Sequence, residues 1–132
     1  MGFSTYLAND LLDHIVKRAA ATVPVGTFIS LHSDDPLLVG ADELADPGDA
    51  GYARIEAAAS FGDVAADKTI DNTAAITFAA ATGDWTTATH FGIWDAVTAG
   101  NFLIGGALDD PKTVESGDSA EFAIGELDVT LA

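Results

Sequence analysis

The chain has 132 residues, 48% of them hydrophobic, no cysteine, and 21 acidic against five basic side chains for a formal net charge of −16. That size fits one domain, 1–132, able to bury a core without cross-links or metal, and the missing cysteines exclude a disulfide scaffold, a thiolate zinc site and cysteine catalysis. So acidic a surface repels nucleic acid and anionic membranes, so neither is expected as a partner.

Asp10 and Asp13 interrupt the apolar residues of the N-terminus, which lacks the basic-then-apolar pattern of a secretory signal; no window of about 18 apolar residues occurs elsewhere. The chain is therefore expected to be soluble and unprocessed. Only residues 1–20 read as helix. Leu7, Leu11, Ile15 and Ala19 recur every four residues, Leu12 and Val16 widen the stripe, and Ser4 or Thr5 can cap the start. Early Asp10 and Asp13 and late Lys17 and Arg18 suit the helix dipole, and Pro24 and Gly26 end the element. Such a stripe needs an apolar partner, either its own sheet or another subunit.

From residue 27 to 132 the pattern predicts short strands between turns. Candidates are Thr27 to His32, Tyr52 to Ala57, Ala75 to Phe78, Thr86 to Ala96, Asn101 to Leu108, Pro111 to Val114, Ser119 to Ile124 and Glu126 to Leu131. Thr86 to Ala96 is the best patterned. Its two faces both carry aromatics, which predicts cover on both sides and a core role for Phe91 and Ile93. Gly105-Gly106 predicts a bulge or a close backbone approach. An acidic Gly/Pro loop separates Leu37 from Gly51. The expected fold class is mainly β: an N-terminal amphipathic helix, then a compact antiparallel sandwich or barrel of about seven short strands.

No motif for chemistry emerges. His14, His32 and His90 lie in separate elements without ligand spacing, so a metal site is not expected; His14 reads as solvated and the other two as strand contacts. Asp34, Asp35, Asp42, Glu43, Asp46 and Asp49 could offer oxygen ligands to calcium, yet EF-hand spacing is absent and carboxylates crowd by chance in so acidic a chain. Ser116-Gly117-Asp118 is a turn, and no nucleophile elbow or phosphate loop occurs. No catalytic, cofactor-binding or metal-binding residue is assigned. Trp85 and Trp94 could form a carbohydrate platform if exposed, although aromatics at alternating strand positions more often serve a core or an interface. The candidate interface residues are Leu7, Leu11 and Ile15 of the helix together with Trp85 and Trp94.

Several stretches in order carry a resemblance: Tyr6-Leu7-Ala8-Asn9, Ile29-Ser30-Leu31-His32-Ser33-Asp34-Asp35-Pro36, Gly51-Tyr52-Ala53-Arg54, Ala75-Ile76-Thr77-Phe78, Thr89-His90-Phe91-Gly92-Ile93-Trp94-Asp95-Ala96 and Gly100-Asn101-Phe102-Leu103. Across nearly its whole length the chain resembles the small virion structural proteins of tailed phages, described as tail-fibre-like or minor structural proteins. The resemblance implies a helix followed by a compact β domain, no known activity, and a place in the virion. The expected role is an oligomeric, non-enzymatic assembly module of the capsid surface (decoration or cement) or of the tail fibre. Its partners would be copies of itself and other virion structural proteins, and the alternative is a receptor- or glycan-binding β module. The chain departs from the family in its charge and its long acidic loop. The charge resembles that of proteins from high-salt organisms, where a Debye length of roughly 3 Å at 1 M screens self-repulsion.

Overall fold

A computed structural model describes residues 2–131. It is mainly β, with one α-helix, α1 (Thr5–Val16), and nine strands among the described residues: β1 (Gly2–Phe3), β2 (Phe28–His32), β3 (Ile55–Glu56), β4 (Thr69–Asp71), β5 (Ile76–Thr77), β6 (Ala88–Trp94), β7 (Phe102–Lys112), β8 (Glu121–Phe122) and β9 (Asp128–Thr130). A five-stranded antiparallel sheet has the order β1-β7-β6-β2-β3, and two ribbons, β4-β9 and β5-β8, accompany it.

The helix is shorter than residues 1–20. Ser4 caps it, its hydroxyl accepting from the Leu7 N–H at 3.0 Å. It stops at Lys17 because Arg18 takes the left-handed conformation (φ 58°), which lets the Ala19 N–H donate back to the Asp13 carbonyl at 3.1 Å. Gly2 and Phe3, read as helix from their sequence, instead form β1 and pair with Gly105 and Ile104.

The period-2 pattern of β2 and β6 is realised as two separate faces. Ile29, Leu31, Phe91 and Ile93 lie opposite one another and point into the core, joined by Phe78, Phe122, Leu127 and Val129 from the ribbons and their connections. On the other face Ser30, His32, Gly92 and Trp94 are buried as well, beneath the loop that follows β2. Both faces of β6 are thus covered.

Gly105 makes a close approach. It pairs with Gly92 across the β6–β7 hairpin, and a β-carbon placed on Gly105 would lie 2.6 Å from Pro36 Cγ. The register irregularities of the hairpin fall elsewhere, between Ala88 and His90 and between Ile93 and Trp94.

Other boundaries differ from the sequence pattern. Tyr52 to Ala57 contracts to Ile55–Glu56 because Tyr52 turns inward and Arg54 leaves the alternation for an ion pair. Pro111 to Val114 is no separate strand: β7 runs through Pro111 to Lys112, where proline is tolerated at an exposed position. The ribbon strand Thr69–Asp71 carries only Ile70 as an apolar residue and gave no pattern to read. Asn72, fully buried beside it, ties the ribbons together: its amide donates to the Ala74 and Ala123 carbonyls at 3.0 and 2.8 Å and its oxygen accepts from the Leu127 N–H at 2.9 Å.

Candidate functional site

Two features stand apart from the core: an apolar helix face open to solvent and a buried polar cluster that fastens the acidic loop. No α1 residue is fully buried. Leu7 packs on the rim of the core and Leu11 is half-buried, so the first two turns hold the helix against β7. Beyond them Leu12, Ile15 and Val16 are 59, 71 and 73% exposed, at i, i+3 and i+4 and therefore on one side. Val23 and Val25 of the following segment are also exposed. Below α1 an open groove of about 370 Å³ is lined by Leu7, Phe61, Ile70, Ile93, Leu103 and Val129, among others. Single apolar residues scattered on a surface are ordinary; these three lie together on one side of the helix.

The polar cluster begins at Arg54. Its Nη2 and Nε reach Glu43 Oε2 and Oε1 at 2.7 and 2.8 Å, and its Nη1 donates to the Ala96 and Ala99 carbonyls at 2.9 and 2.8 Å. The guanidinium also stacks on Trp94, 3.6 Å from the ring centroid. Tyr52 donates to Glu43 at 3.0 Å and accepts from the Leu31 N–H at 3.0 Å, filling the edge of β2 beyond the short β3. Burial and the nearby Glu43 carboxylate push the Tyr52 phenol well above its ordinary range.

A second branch runs through Trp94. The indole N–H donates to Ser30 Oγ at 3.0 Å, Ser30 Oγ lies 2.7 Å from His32 Nε2, and His32 Nδ1 lies 2.6 Å from the Ala41 carbonyl. A carbonyl only accepts, so Nδ1 carries a proton; Nε2 then accepts from the Ser30 hydroxyl, which itself accepts from the indole. Burial holds the imidazole below its ordinary 6.5, against the raising effects of the Ala41 carbonyl and Glu43.

Besides Glu43, three carboxylates of the acidic loop accept from backbone N–H groups. Asp34 accepts from the Asp35 N–H and Asp35 from the Leu37 N–H, both at 2.8 Å. Buried Asp49 accepts from Ala45 at 2.9 Å and Thr86 at 2.6 Å. Among the described residues no three His, Asp or Glu side chains converge in a way that could hold a metal ion.

Of the sequence-derived interface residues, α1 brings Leu7, Leu11 and Ile15 into one stripe, with Ile15 the most exposed of the three. The tryptophans go inward: Trp85 and Trp94 are 5 and 8% exposed. Trp85 packs edge-on against Tyr52 and donates to the Ala50 carbonyl at 2.9 Å, so the two indoles form no surface platform. Sequence reading missed the roles of Arg54, Ser30 and Asp49; the one available signal was an arginine placed between Tyr52 and Ile55 in a chain with five cations.

The described body is mainly β, its buried polar cluster is bonded to structural partners, and one side of its helix is apolar and exposed. The chain belongs to the family described as Podophage GP4 fiber I protein gp80, which it matches over residues 2–130. It is a phage fibre-family structural protein and so a component of the virion. No helix among the described residues is long and apolar enough to cross a membrane. A search of curated proteins found no match.

Proposed function

We propose that the chain is a non-enzymatic, self-associating subunit of a tail fibre, joined to its own copies and to neighbouring virion proteins through the outward face of α1. The observation that carries this reading is the exposure of Leu12, Ile15 and Val16 on a helix that the core grips only through its first two turns. A short helix with such a face is marginal alone and gains most of its stability by burying it. The non-enzymatic part rests on Glu43, Arg54, Asp49 and His32, each engaged in holding a loop or strand in place.

The test is particle incorporation of Leu12→Asp and Ile15→Asp chains, expressed in place of the native one. Point changes are preferable to deleting residues 1–20, because Gly2, Phe3 and Ser4 pair with β7 and their loss would disturb the sheet. A folded chain that no longer enters particles is the expected outcome; normal incorporation would sink the proposal. Gel stoichiometry of purified particles separates the fibre from the capsid surface: a fibre subunit is present in a handful of copies per particle, a decoration protein in hundreds.

A further inference from the structure

Among the side chains that fasten loop 33–44 over the outer face of the sheet, His32 is the one whose hydrogen bonds depend on a titratable ring. His32 is fully buried and stands at the start of the loop, and its Nδ1–H donates to Ala41 at the far end. The loop closes on itself through the Ser33 N–H to the Asp42 carbonyl at 2.9 Å, and the Gly40 and Ala41 N–H groups to the Pro36 carbonyl at 2.8 and 2.9 Å. It returns to the sheet where the Leu44 N–H donates to the Leu31 carbonyl at 3.0 Å. Between these ties it carries Leu37, Leu38 and Val39 to the surface, all exposed.

The hydrogen bonds around His32 accommodate only the neutral ring. Trp94 Nε1–H occupies Ser30 Oγ as a donor, and the Ser30 hydroxyl proton is directed at His32 Nε2. Protonating Nε2 would turn it into a second donor toward the same oxygen and leave the serine proton without its acceptor, inside the fold. The ionisable groups facing the ring are Glu43 and Arg54 from the loop and its return and His90 from β6; β7 contributes the Phe102 ring, 6.1 Å away centre to centre. Glu43, the one anion among them, is already held bidentately by Arg54.

We propose that His32 is an acid-sensitive latch: its protonation detaches loop 33–44 from the sheet, so that the imidazolium reaches water, while the β6–β7 hairpin stays folded. The depressed basicity of the ring fixes the sign. A base whose pKa is lower when folded contributes its full stability above the unfolded value near 6.5, and loses it as pH falls from there toward the folded value.

Amide hydrogen exchange on the full chain, corrected for intrinsic rates and followed from pH 7.5 to 5, tests the latch. Opening linked to one proton should raise exchange at Gly40, Ala41 and Leu44 by about tenfold per pH unit below 6.5, levelling off once the ring titrates in the closed state. Amides of Phe91 and Ile93 should not follow. His32→Gln, which cannot ionise, should abolish the dependence, and the double variant His14→Gln/His90→Gln should keep it. Flat exchange at the loop, a rise shared with β6, persistence in His32→Gln, or loss in the double variant would each overturn the proposal. If His32→Gln does not fold, the double variant together with the NMR titration of the His32 ring decides: the ring midpoint and the levelling of loop exchange must coincide.

Discussion

Arg54 lies 3.6 Å over the face of Trp94 while its guanidinium fork grips Glu43, so one side chain joins the connection after the acidic loop, the end of β6 and the loop itself. The pair is enclosed on both sides, with side-chain exposures of 8 and 18%. Removing one partner therefore strands the other. Arg54→Met should cost about 3–5 kcal/mol in urea unfolding, and Arg54→Met/Glu43→Gln should recover part of that loss. A loss under about 1 kcal/mol would show that the pair behaves as a surface salt bridge.

Phe91 sits in the middle of the sheet, opposite Leu31 on one side and Gly106 on the other, and is buried. Phe91→Ala should lower stability by about 3–5 kcal/mol through lost contact and the cavity left behind. Differential scanning calorimetry should show a fall of many degrees; a shift of a degree or two would mean that the strand is not central.

Asp49 links the loop to the start of the β6 region. Burial alone would raise its pKa, but the Thr86 and Ala45 N–H groups outweigh that and hold the carboxyl below its ordinary 3.8. A depressed acid contributes stability in full above 3.8 and loses it as pH falls through that value toward the folded pKa. Asp49→Asn should cost about 1.5–3 kcal/mol at neutral pH, and the gap between variant and native chain should narrow below pH 3.8. A gap independent of pH in chemical denaturation would count against a charged Asp49.

Salt should stabilise the protein and its attachment to the particle. Three ion pairs form among the described residues, at Lys17–Asp13, Arg54–Glu43 and Lys112–Glu126, which leaves most of the 21 acidic groups without a cation. Raising salt from about 0.01 M to 1 M contracts the Debye length from roughly 30 Å to 3 Å and removes most of the mutual repulsion. Melting temperature and particle-bound fraction should rise across an NaCl series and not with sucrose at equal osmolality. A flat or falling response to NaCl removes the case for a salt adaptation.

The parts of the fold legible in the sequence are those where one physical signal acts alone. Period-2 alternation located β2 and β6, whose apolar residues Ile29, Leu31, Phe91 and Ile93 fall on one face, in the core, while the loop after β2 covers the other. The four-residue spacing located α1 but overran it, since Arg18 can end a helix in a conformation usually left to glycine and no residue type announces that. Short ribbons such as β4-β9, held by Asn72, depend on contacts between positions more than fifty apart in the chain, which local pattern does not carry. The same holds for the polar cluster. Ser30, His32, Trp94 and Arg54 each read as ordinary strand residues, and only the pairing of β2 with β6 brings them together. The tryptophans were legible as aromatic and misread in direction, because alternation gives a face and not what covers it.

The facing pair Gly92 and Gly105 has a consequence for how the chain selects one alignment among several during folding. Sliding β7 by one residue against β6 would turn its apolar set outward. Sliding it by two preserves the faces but places Leu103 or Ala107 opposite Gly92, and a side chain then occupies the hollow that receives Pro36. A misaligned hairpin thus prevents the loop after β2 from closing, although that loop lies far away along the chain. The two missing side chains act as a vernier mark: the hairpin is checked against a distant proline before the outer layer can shut.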